Sequence, residues 1–88
     1  MKLKQFDLIE VEWVDSLSDE NKWQELKDYD FADVYENLTH ISAGYLIRKA
    51  NGAVILAHSL RCNKTYMLGF ITIPKGCIKK IRRIGNGR

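Results

Sequence analysis

The residues able to hold an anion or a flat ring gather in the second half of this sequence. Arg48, Arg61 and Lys75 supply fixed positive charge, Tyr45 and Tyr66 supply rings on which a base can stack, and His58 and Ser59 supply hydrogen-bond donors. From the first half, Trp13 offers a larger platform, with Asp15 and Ser16 just after it to receive a ribose hydroxyl or a base amine. Trp13 also fits a core anchor, because Ile9, Val11 and Trp13 share one apolar strand face. Lys75 fits a solvated turn lysine as well.

This pattern points to binding rather than turnover. The chain contains no Gly-x-Ser-x-Gly, no phosphate loop and no His-Glu-x-x-His. His58 and Ser59 are neighbours on a strand and point to opposite faces, so they are badly placed to act as base and nucleophile. No catalytic residue, cofactor or metal ligand set is therefore expected. Cys62, Cys77, His40 and His58 match no zinc-site spacing, and the cysteines read as two reduced thiols. Asp28, Asp30 and Asp33 lack the glycine and terminal glutamate of a calcium loop.

Charge divides the chain in two. All eleven acids lie at or before Glu36, against four lysines in the same stretch, a balance of −7. From Asn37 onward there are ten bases and no acid, and the whole chain returns to +3. Such asymmetry leaves three uses open: neutralisation within the chain, neutralisation between copies, or a basic surface for an anionic ligand. The run Lys79-Lys80-Ile81-Arg82-Arg83 fits a nucleic-acid patch and fits an amphipathic last strand equally well.

The elements that must position these residues follow from pattern. A length of 88 residues, 45% apolar and 28% charged, fits one domain spanning 1–88 and excludes the large α/β and barrel enzymes. So small a domain is marginal alone, which favours a homo-oligomer. Neither a signal peptide nor a membrane span is apparent, so a soluble cytoplasmic protein without membrane partners is expected. Residues 7–15 alternate as a strand. Ser18 or Asp19 then caps a helix running through Trp23 and Leu26, continued or restarted at Asp30 towards Leu38. Strands follow at 39–49, 53–60 and 66–73, with Asn51-Gly52 as a hairpin turn. Pro74-Lys75-Gly76 predicts a tight turn, and Ile78, Ile81 and Ile84 recur every third residue, which fits a 3₁₀ turn leading into a last strand. The expected fold class is α+β, mainly β: a small five-stranded SH3-like or Sm-like barrel with one helical insertion between strands 1 and 2. An open α+β sheet is the alternative.

Four segments carry a resemblance: Ile9 to Ser16, Gly44-Tyr45-Leu46-Ile47, Ile55 to Ser59, and Ile71 to Ile81 with its Ile-Pro-Lys-Gly-x-Ile core. Their order resembles a group of short bacteriophage proteins. In size and charge character the chain is similar to phage sponges that sequester the nucleotide signals of CBASS and Thoeris immunity. The resemblance implies an anti-defence protein that binds a cyclic oligonucleotide or an ADP-ribose derivative without cleaving it, in a pocket lined by the Trp13, Tyr45, His58 and Lys75 segments. Two other readings stay open. One is an Sm-like RNA- or DNA-binding module, and the other an inhibitor of a host enzyme acting through the acidic helix.

Overall fold

A computed structural model describes residues 2–15, 27 and 38–85. Five antiparallel strands make one sheet: β1 (Leu8–Val14), β2 (Thr39–Ala50), β3 (Ala53–Leu60), β4 (Met67–Pro74) and β5 (Ile78–Gly85). The strand order is β4-β3-β2-β1-β5, and a 3₁₀ turn (Lys75–Cys77) joins the two edge strands.

Alternation builds the strands. Ile9 and Val11 are fully buried on one face of β1, while Glu10 and Glu12 point to the other. Across the ladder that buried face continues through Leu46 on β2, Val54 and Leu56 on β3 and Ile73 on β4, which form one apolar cluster. Removal of each such side chain from water contributes about 1.5–3 kcal/mol. Asn51 (φ 55) and Gly52 (φ 74) form the two-residue β2–β3 turn with Ala50 facing Ala53. β2 carries a bulge at Ile47, and the N-terminal turn docks there. Gln5 Nε2 donates to the Ile47 carbonyl at 3.1 Å, and the backbones of Asp7 and Phe6 bond to Leu46.

A second bulge explains the isoleucine spacing. Ile78 faces Trp13 and Lys80 faces Glu12, so Lys79 is the extra residue in the β1–β5 ladder. One inserted residue converts a spacing of three into a shared face, and Ile78 and Ile81 both pack against the core.

The sheet is strongly curled. Pro74 faces Ala53 beside the hairpin, whereas Ile78 faces Trp13, whose β2 partner is His40, ten residues from Ala50. In a flat sheet those corners would be separated by roughly 33 Å along the strands and about 19 Å across them. The chain from Pro74 to Ile78 reaches at most about 15 Å. The sheet must therefore roll so that opposite corners approach, with the apolar cluster inside. Gly44 allows close passage of β2 over β3, since a Cβ there would lie 2.6 Å from the Ala57 carbonyl oxygen.

Rolling stops short of closure, which corrects the expected fold class. β4 and β5 are the two ends of the strand order and are not hydrogen-bonded neighbours, so the five strands form an open sheet rather than an SH3-like or Sm-like barrel. Closure needs edge strands running side by side, whereas here they meet only through the 3₁₀ corner. Nor does the structure bear out an α+β chain with a helical insertion: the described residues are almost all sheet and contain no α-helix. The segment read as that helix, between Ser18 and Asn37, lies outside the described residues apart from Lys27.

Candidate functional site

The end of β1 and the start of β2 build the best-furnished corner of the molecule. Trp13 and His40 are ladder partners, and their rings lie 5.1 Å apart, tilted by 47°. The Trp13 indole Nε1 donates to Ser42 Oγ at 3.0 Å, which fixes the ring while its body packs against the core. His40 Nε2 stands 3.9 Å from Asp15 Oδ2, both side chains about half exposed. Asp15 is held in turn by its backbone N–H, which donates to the Leu38 carbonyl at 2.9 Å. Trp13 is thus a partial core anchor, one of the two readings the sequence allowed, with its ring tilted against His40.

Lys75 opens the 3₁₀ turn that leads into β5. Its backbone N–H donates to the Gly52 carbonyl at 2.8 Å, which pins the 3₁₀ turn to the hairpin. The turn advances about 6 Å from Lys75 to Ile78, and Ile78 faces Trp13 across the β1–β5 ladder. The turn thus joins an exposed lysine to the strand whose first residue pairs with Trp13.

The other predicted residues are spread further. His58 follows Leu56 on the inner face and covers Gly69, whose φ is +73. Ser59 lies on the outer face opposite Leu68. Tyr45, opposite Leu8 and Ala57, is also on the outer face, and the Ile47 bulge turns Arg48 to that side, opposite Ile55. Trp13 and Tyr45 thus occupy opposite faces and cannot share one ligand ring. Arg61 begins the β3–β4 loop with its guanidinium 4.5 Å above the Tyr66 ring and its N–H on the Tyr66 carbonyl. Ser16 lies outside the described residues.

Sequence reasoning weighed His40 only as a zinc ligand and left out Ser42, and it placed neither beside Trp13. The usable signal was His-x-Ser at the start of a strand, a spacing that puts both side chains on one face. Ser, His and Asp near one another invite comparison with a hydrolytic triad. Among the described residues, however, no hydrogen bond joins Ser42 to His40, and the Ser42 oxygen accepts from the indole instead.

A shallow recess of about 210 Å³ opens on the outer face among Glu10, Glu12, Ile41, Lys80 and Arg82. None of the predicted residues lines it. Two of its charges pair, with Arg82 Nη2 donating to Glu10 Oε2 at 3.3 Å. Arg83 likewise lies 3.9 Å from the buried Asp7 carboxylate. Part of the acidic half is thereby neutralised by the basic half within one chain. Among the described residues no three His, Cys, Asp or Glu side chains gather as metal ligands, and no helix is long and apolar enough to cross a membrane.

Comparisons with family profiles, with curated proteins and with solved structures found no match to this chain.

Proposed function

We propose that this protein captures a small nucleotide-derived anion at the Trp13 corner and holds it without turning it over. The observation that carries this reading is the Ser42-fixed indole of Trp13 with His40 beside its ring and Asp15 next to His40; Lys75, three residues before the Trp13 partner Ile78, is the cation we assign to it. The indole stacks a base, a contact worth about 1–3 kcal/mol. Asp15 and Ser42 bond to base or ribose, and Lys75 pairs with a phosphate. In the setting the phage resemblance implies, the ligand is a cyclic oligonucleotide or ADP-ribose derivative of an immune signal, met in the host cytoplasm.

The test is incubation of the purified protein with a mixed panel of cyclic dinucleotides, cyclic trinucleotides and ADP-ribose derivatives. Thermal shift reads binding, and mass analysis of the ligand released on denaturation reads its integrity. One ligand returned unchanged is the expected result. Lys75→Ala should weaken capture about ten- to a hundred-fold, the loss of one charge-assisted bond, without lowering the melting temperature. Unaltered affinity would remove Lys75 from the site.

One observation favours a second reading, a single-strand nucleic-acid module. Tyr66 is 64% exposed beneath Arg61, an aromatic–guanidinium pair suited to stacking a base. That reading expects affinity to fall steeply with salt, because many phosphates are neutralised together. A ligand with one or two phosphates gives a shallow slope.

A further inference from the structure

The outer edge of β4 is the most apolar exposed surface among the described residues. Leu68 is 78% exposed, Phe70 60% and Met67 44%. From Thr65 to Pro74 the chain carries no charged side chain. β4 ends the strand order, so among the described residues its outward N–H and C=O groups have no ladder partner. Edge strands of soluble proteins are ordinarily blunted with charge, and β4 is not.

We propose that the β4 edge pairs with the β4 edge of a second copy, antiparallel about a two-fold axis at Gly69. Two observations select this occupant. Leu68 and Phe70 flank Gly69 symmetrically and share the outer face, as their partners Ser59 and Ala57 show. A two-fold axis at Gly69 therefore sets Leu68 of each copy opposite Phe70 of the other, the self-complementary arrangement an isologous contact demands. Charge is the second observation. A neutral strand meets its own copy without repulsion, whereas self-pairing through β5 would bring Lys79, Lys80, Arg82 and Arg83 against themselves. Pro74, which lacks an N–H, falls opposite Lys64 in this register and so lies beyond the paired residues.

Native mass and cysteine cross-linking test the proposal. Wild-type protein at high micromolar concentration should show twice the single-chain mass of 10.2 kDa. Leu68→Lys and Phe70→Lys, at side chains already exposed, should return it to one chain with the melting temperature of wild type diluted to a single chain. In a background with Cys62→Ser and Cys77→Ser, mixing Leu68→Cys with Phe70→Cys protein should give a disulfide between the two variants. Directly opposed residues lie at about 4.5–5.5 Å, within disulfide reach. Each variant alone should cross-link several-fold less. A single-chain mass at every concentration would overturn the proposal and leave the edge to a different partner. So would an assembly that both lysine variants leave intact, or cross-linking that ignores the Leu68–Phe70 pairing.

Discussion

β4 and β5 border the same sheet, yet their chemistry is opposite. β5 carries Lys79, Lys80, Arg82 and Arg83, and two of these bases reach back to acids of the first half, Arg82 to Glu10 and Arg83 to Asp7. β4 carries no charge and leaves Leu68 and Phe70 exposed. Charge on an edge strand repels a second strand, and its absence admits one. The lopsided charge of the chain therefore has a structural use: it closes one border of an open sheet and leaves the other available. The inner side of β4 differs again, since Ile73 is fully buried in the apolar cluster. One strand thus serves the fold with one side and the surroundings with the other.

Substitutions should separate these roles. The largest effect belongs to Ile73→Ala, which empties a fully buried position and should cost about 2–5 kcal/mol of stability by urea denaturation. Leu68→Ala on the same strand should cost almost nothing, so a comparable loss at Leu68 would break the distinction between the two sides. Gly69→Ala comes next. It forces a side chain into positive φ and sets a Cβ 2.7 Å from His58 Cδ2, at a cost of about 1–3 kcal/mol. Repeating it with His58→Ala should recover only the part due to the clash, leaving the part due to φ. Smallest is Glu10→Gln, which removes the partner of Arg82 on the charged border. That pair is largely solvated, so the loss should stay below about 1 kcal/mol and shrink further in high salt.

Much of this arrangement was legible in the residues. Period-two alternation located β1, Asn51-Gly52 fixed the hairpin, and Pro74-Lys75-Gly76 announced the 3₁₀ turn. Three features were not legible, for one shared physical reason. The spacing of Ile78, Ile81 and Ile84 looked irregular because the β1–β5 ladder carries two inserted residues, Lys79 and Ile84 itself. Tyr45 and Trp13 were grouped although they lie on opposite faces, because a strand's phase shows nothing until its partner is known. His40 and Ser42 were not grouped with Trp13 because only pairing with β1 brings them to it. Barrel closure was expected from the number of strands and the tight turn. Whether two edges pair depends on curl, which accumulates from bulges and close contacts such as Gly44 over Ala57.

The proposed function concerns the corner rather than either border, and one measurement addresses it most directly. A native mass spectrum is recorded for wild-type and Lys75→Ala protein after incubation with the mixed nucleotide panel. The expected result is an intact nucleotide retained by the wild-type chain and lost from Lys75→Ala, with the number of chains per particle unchanged. Retention of no nucleotide by the wild type, or equal retention by both proteins, would contradict capture at the Trp13 corner.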